Sequence, residues 1–300
     1  MPELPDVTVY VEALRRHVRD RTLDRVRLKS VFLVRTPEPP ISRAEGRRVR
    51  EIERIGKRIV FEMEGGPFLV FHLMVTGRFK WRKPGVGLPG RMGLAAFDFE
   101  HGTLLLTEAG RHKRASLHLM ADREGLAAFD AGGLDVLAAG ADEFGERLRS
   151  VNHTLKRALT SPRLFDGIGN AYSDEILHRA RLSPLQWTSR LSDEEVGRLH
   201  GCTREVLREW IERTREEVGE KFPEKVTAFR EGMAVHGRYG QPCPDCGSPV
   251  QRIVRAENEI NYCATCQTGG KVYADRALSK LLKGDWPRTI EEWEGIRGGG

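Results

Sequence analysis

Between residues 25 and 120 apolar positions recur mostly every second residue, in short runs rich in β-branched and aromatic side chains. Arg58-Ile-Val-Phe-Glu-Met, Phe68-Leu-Val-Phe-His-Leu, Leu94-Ala-Ala-Phe-Asp-Phe and Thr103-Leu-Leu-Leu read as strands. Glu64-Gly-Gly-Pro67 and Glu100-His-Gly102 punctuate them at hairpin spacing, which predicts an antiparallel sandwich or barrel. One helix precedes the strands. Val7, Val11, Leu14 and Val18 recur at helical spacing between Asp6, a capping residue, and Asp20.

An Ala/Gly-rich stretch, Gly132 to Glu143, marks the boundary of this first region. Beyond it the period becomes helical. Phe144, Leu148, Val151, Leu155 and Leu159 form one stripe, stopped by Ser161-Pro162. A second helix follows Asn170, and a third is announced by Ser192 with Glu195 three residues on, a capping-box spacing. That third stripe runs through Leu199, Cys202, Val206 and Trp210, so Cys202 reads as core packing. From Lys271 a Lys/Arg-containing segment ends in three glycines and is expected to fray. No internal repeat is visible. The pattern divides the chain into a sandwich domain (1–131), a helical domain (132–235), a metal-binding segment (236–270) and a C-terminal extension (271–300).

Composition narrows the class. The 300 residues are 39% hydrophobic and 31% charged, which fits a folded globular protein and excludes a collagen-like or wholly disordered one. The longest apolar stretch, Phe68 to Val75, is interrupted by His72 and is far shorter than the ~20 residues that span a bilayer. The MPELPDV start carries two acids and two prolines where a secretory signal needs a basic head and an apolar run, so a cytosolic protein is expected, with no membrane contact. A net charge of +6 suits a polyanionic partner such as nucleic acid.

Four of the five cysteines lie in two C-x2-C pairs, Cys243/Cys246 and Cys263/Cys266. The sequence between them reads as a hairpin that brings the pairs together around a tetrahedral cation. All four positions are filled by protein, so the expectation is one structural Zn2+ with no open coordination position.

The amino terminus offers a different chemistry. Removal of Met1 leaves Pro2 with a free secondary amine, a good nucleophile with a useful neutral fraction near pH 7. Glu3 beside it supplies a carboxylate for general acid/base work.

Read together in this order, MPELPDV, GIGNAYSDEIL (Gly167 to Leu177) and the two C-x2-C pairs ending in Gln267 resemble the formamidopyrimidine-DNA glycosylase and endonuclease VIII family of base-excision repair enzymes. The resemblance covers nearly the whole chain to about Gln267. It implies an α+β multidomain fold: an antiparallel β-sandwich with an N-terminal helix, a helical domain with a helix-two-turn-helix, and a C-terminal zinc-finger β-hairpin. It also implies a bifunctional glycosylase and abasic-site lyase that works as a monomer on double-stranded DNA containing oxidised bases or abasic sites. Pro2 would form the Schiff base, Glu3 would be its acid/base, and Glu175 matches an acid near the family's active site. Lys57, His72, Lys156 and Asn170 match or neighbour the family's phosphate contacts.

Three departures fall on the DNA-reading parts. In HLMVTGR a gapless match sets Val75 at the family's wedge methionine and Met74 on a glycine, so either Met74 takes over through a shifted loop or insertion is weaker. The second wedge region reads Glu108-Ala-Gly-Arg-His-Lys-Arg114, with no aromatic plug, leaving Arg111, His112 or Lys113. At the zinc hairpin, Asn258 stands where the family has a phosphate-gripping arginine, and Arg255 or Arg252 is the available substitute. These changes keep a second class open, a protein of the same fold that binds damaged or abasic DNA without cutting it.

Overall fold

A computed structural model describes residues 1–224, 230–255, 258–273, 289–290 and 292. The chain forms two compact units, one of residues 1–131 with 209–224, the other of residues 132–208 with the described residues from 230 onward. Among the described residues no helix is long and apolar enough to cross a membrane.

In the first unit, helix α1 (Leu4–Val18) starts two residues before the expected cap. Glu3 is the N-cap, and Asp6, three residues later, accepts the Glu3 amide at 2.9 Å, so Asp6 fills the return position of a capping box. Nine strands follow: β1 (Thr22–Leu23), β2 (Arg25–Leu28), β3 (Arg47–Ile55), β4 (Arg58–Met63), β5 (Phe68–His72), β6 (Gly77–Arg82), β7 (Gly93–Phe99), β8 (Gly102–Glu108) and β9 (Ser116–Met120). They pair antiparallel in two sheets, β1-β3-β4-β5-β9 and β2-β7-β8-β6. One core lies between the sheets and against the Val7, Val11, Leu14 and Val18 stripe of α1. Phe71 of the first sheet meets Phe79 and Phe97 of the second edge-on, with centroids 5.3 and 5.2 Å apart. The outer face of β4 and β5 is also covered, by Leu126 on Val60, Phe68 and Val70. Double burial explains why these two strands are nearly continuous apolar runs.

The second unit contains α2 (Ala141–Arg149), α3 (Leu155–Leu159), α4 (Asn170–Arg179), strands β10 (Val250–Arg255) and β11 (Asn258–Cys263), and the short α6 (Ala264–Thr268). Between α4 and β10 runs α5 (Asp193–Val218), which spans both units. The single stripe expected from Phe144 to Leu159 is two helices. Thr188 breaks it, because its hydroxyl donates to the Val151 carbonyl at 2.7 Å and accepts the His153 amide at 3.2 Å. The Ser192–Glu195 capping box is present, with reciprocal bonds of 2.9 and 3.1 Å. The far end of α5 joins the first unit, where Arg215 forks onto Glu12 and Phe222, just beyond the helix, packs on the sandwich core. The proposed C-terminal extension lies almost wholly outside the described residues.

Candidate functional site

In the first unit Pro2 and Glu3 are buried at the start of α1. The terminal amine of Met1 is held below its ordinary value, chiefly by burial. Arg78 and Lys57 push it the same way, while Glu3 and Asp6 oppose them. Lys57 lies on the turn between β3 and β4, one residue before β4 begins. His72 ends β5, paired with Arg58 on one side and Ser116 on the other. Burial drives its imidazole down to about 4, and the charges of Arg58 and Lys57 add to the effect. Glu3 and Lys57 thus act on the charge of the amine, and Lys57 acts on His72 as well. Arg78 acts on the amine too and was missed. It sits on a strand that reads as ordinary alternation, and its guanidinium spans the preceding turn by donating to the Val75 and Gly77 carbonyls.

That turn, residues 73–76, is tight. A Cβ on Gly77 would lie 2.1 Å from the Leu73 carbonyl oxygen, which requires glycine there. Met74 takes a left-handed backbone, φ 53°, at the position where the family match has glycine, and Val75 is left 51% exposed. Arg111, His112 and Lys113 are exposed on the β8–β9 loop, and the Lys113 ammonium turns back onto the Glu108 carbonyl.

In the second unit the loop before α4 carries Gly167 at φ 75°, and Gly169 occupies the cap position. The helix expected to follow Asn170 begins at it. The Asn170 side-chain amide reaches the β-hairpin, donating to the Glu259 carbonyl at 2.8 Å. Lys156 is 6% exposed, and its ammonium lies 2.6 Å from the Asn170 carbonyl and 2.5 Å from Asp174. The other Asp174 oxygen lies 2.8 Å from His236 Nδ1. Glu175 receives three backbone amides, from Ala234, Val235 and His236, at 2.7, 3.0 and 2.9 Å. Lys156 and Glu175 thus brace α4 from behind. Asp174 and His236 complete this buried network, and nothing in the sequence pattern signals it beyond an acidic pair on a helix.

The four ribbon cysteines place their sulfurs within 4.8 Å of one another, with Cys246–Cys263 at 3.4 Å and Cys243–Cys266 at 3.9 Å. A tetrahedral Zn2+ with sulfur at about 2.3 Å needs edges of about 3.8 Å, so the set fits. Burial, more than any other cause, pushes the Cys266 thiol up to about 12, so a cation is what would make it a thiolate at neutral pH. His178, at the end of α4, places Nε2 3.3 Å from Cys243 Sγ, and Gln267 ties the Cys263 amide to the Leu182 carbonyl. Arg252 lies over the Tyr239 ring at 4.2 Å and near Glu259. Arg255 and Asn258 pair at the end of the hairpin where the chain passes from β10 to β11, and their side chains lie outside the described residues.

Comparison with known proteins decides the family. Residues 1–130 match the formamidopyrimidine-DNA glycosylase N-terminal domain, residues 135–221 its H2TH domain, and residues 240–269 a zinc finger found in FPG and IleRS. The formamidopyrimidine-DNA glycosylase of Thermus thermophilus is 36% identical over 280 residues, covering 90% of this chain and 100% of that protein. The chain belongs to the formamidopyrimidine-DNA glycosylase family. The crystal structure of MutM (Fpg) from Thermus thermophilus superposes with a TM-score of 0.75 at 34% identity, covering 89% of this chain and 98% of that one. A Lactococcus lactis Fpg bound to DNA containing an abasic site shares the fold, with a TM-score of 0.78 at 23% identity over 89% of this chain and 99% of that one. The glycosylase fold is thus present with its sandwich, H2TH region and zinc-finger hairpin.

Proposed function

We propose that this protein is a DNA glycosylase and abasic-site lyase that removes damaged bases from duplex DNA through the amine of Pro2. The observation that carries this reading is the buried terminal amine, depressed by burial with Arg78 and Lys57 beside it and Glu3 adjoining. Once Met1 is removed, the Pro2 nitrogen occupies this neighbourhood, where the neutral, nucleophilic form is favoured.

Pro2 forms a bond to C1′ while the bond from C1′ to the base breaks, and the proton lost by the Pro2 nitrogen passes through the Glu3 carboxylate to the departing base. Opening of the sugar at O4′, which takes a proton, leaves an iminium on Pro2. Loss of a C2′ proton expels the 3′ phosphate and a second elimination expels the 5′ phosphate. Lys57 and His72 engage phosphates from the first unit, and the turn at Asn170 does so from the second. Lys156 and Glu175 act as positioning residues for that turn. Cys243, Cys246, Cys263 and Cys266 hold one structural Zn2+, which supplies folding energy to the hairpin and no chemistry. In this reading the enzyme is a cytosolic monomer.

Borohydride trapping of the mature protein on duplexes carrying 8-oxoguanine, an oxidised pyrimidine or an abasic site tests the mechanism. The expected result is an adduct that mass mapping places on Pro2, and the duplexes that trap rank the lesions. If Met1 is confirmed absent and DNA is bound, yet no duplex traps, the chain is instead a non-catalytic damage binder. The replaced wedge residues are the feature that favours that second reading.

A further inference from the structure

The turn between β5 and β6 and the loop between β8 and β9 both approach one buried carboxylate. Glu108 ends β8 and is 1% exposed. Its Oε1 accepts the Thr76 hydroxyl at 3.3 Å and the Arg114 amide at 3.1 Å. Its Oε2 accepts the Arg114 and Ala115 amides at 3.0 and 3.1 Å. Thr76 Oγ1 in turn accepts the Gly110 amide at 3.3 Å, and the Lys113 ammonium contacts the Glu108 carbonyl. Thr76 of the first turn and the far end of the second loop therefore converge on one side chain, and the near end of that loop joins them through Thr76.

We propose that Glu108 is a positioning residue that locks the two loops into one insertion element, so that Val75 and the 111–113 stretch enter a duplex together in fixed register. Neither loop suffices alone. Val75 is short and stiff at χ1, and it reaches only as far as its turn is held. The side chains of Arg111, His112 and Lys113 are long and exposed, and ordering them on contact with DNA costs rotamer freedom unless the backbone beneath is already fixed. A carboxylate suits this role because both oxygens only accept, and every group presented to it is a donor: one hydroxyl and two backbone amides. An amide in its place would turn an N–H toward other N–H groups and leave at least one buried donor without its partner.

The proposal rests on the glycosylase reading, and its test separates the two. The variants are Glu108→Gln, which keeps the volume, and Thr76→Val, which removes the hydroxyl that joins the first turn to Glu108 and to the Gly110 amide. Excision of a damaged base from duplex DNA requires the base to be extruded and the gap filled, whereas cleavage of an abasic single strand requires neither. In single-turnover assays Glu108→Gln should slow duplex excision by about tenfold or more while leaving cleavage of the abasic single strand within about twofold, as expected from a displaced but chemically intact site. With 2-aminopurine beside the lesion, the fluorescence rise on binding should shrink in the same variant. Thr76→Val should show a smaller loss that is not additive with Glu108→Gln, because both act through one network. Equal losses on both substrates, or full duplex activity and an undiminished fluorescence rise in both variants, would overturn the proposal. Should the wild-type enzyme excise nothing, the glycosylase reading fails, and the 2-aminopurine signal still decides whether Glu108 sets the insertion loops. Should Glu108→Gln not fold, Thr76→Val carries the comparison.

Discussion

At the scale of single residues, the two basic side chains expected on phosphates differ in kind. Lys57 sits on a turn, whereas His72 ends a strand flanked by Arg58 and Ser116 and has its imidazole driven to about 4 by burial. Because its folded value lies below the ordinary 6.5, the folded protein holds fewer protons than the unfolded chain between pH 6.5 and about 4. The stability linked to neutral His72 is therefore fully present above pH 6.5 and is lost as pH falls toward 4. The proposed phosphate contact of His72 is accordingly that of an uncharged donor at neutral pH. Lys57→Ala should reduce the slope of log affinity against log salt by about one phosphate contact, whereas His72→Ala should weaken binding and leave the slope unchanged. A matching slope change for His72→Ala, or an imidazole titrating near 6.5 by NMR, would show that it is charged. Both residues were legible only through the motifs around them. The neutrality of His72 was not, because it comes first from burial and then from the charges of Arg58 and Lys57, which no local pattern announces. Arg78 was missed because its strand carries no motif of its own.

Elements were legible where local chemistry sets them and illegible where a distant side chain does. The hairpins β4–β5 and β7–β8 follow from their own alternation and turns, and the start of α5 follows from Ser192 and Glu195. The break between α2 and α3 is made by Thr188, more than thirty residues downstream, and the apolar stripe runs straight through it. Asn170 likewise follows its glycines into a helix start as expected, yet its side chain goes to Glu259 because the hairpin packs there. The same logic recasts Lys156. A lysine on a short amphipathic helix reads as a surface phosphate contact, but here its ammonium is enclosed by Asp174 and the Asn170 carbonyl. Removing one partner of a buried pair leaves the other charge uncompensated, at about 3–5 kcal/mol. Lys156→Met should lie toward the lower end of that range in denaturant unfolding, since His236 still faces Asp174. Lys57→Ala, at a half-buried position on a turn, should cost no more than about 1 kcal/mol. Near-equal stabilities for the two variants would return Lys156 to the phosphate contacts.

On the scale of the whole molecule, the two units are held by different means, and the first takes in residues 209–224, which the switch of period near residue 131 leaves in the helical region because α5 carries one unbroken stripe. The sandwich has one large core between its sheets. The hairpin has a small apolar cluster built around Ile253, Ile260, Tyr262 and Ala264, beside cysteines packed close enough to share a cation. A core of that size is of the kind that depends on its metal. The hairpin also carries the Glu259 carbonyl that receives Asn170, and Cys243 receives His178, so α4 is anchored at both ends to the zinc-binding segment. Chelation should therefore act on the phosphate turn as well as on the ribbon. With zinc removed by a strong chelator, hydrogen exchange should lose protection in 170–179 and 240–268 while residues 4–120 keep theirs, and DNA affinity should fall with the first change. The environment of the terminal amine is built from Glu3, Asp6, Lys57 and Arg78 within the first unit, so its depressed pKa should survive chelation. Loss of protection across the sandwich, or a protected α4 in the zinc-free protein, would show that the cation's influence does not follow these contacts.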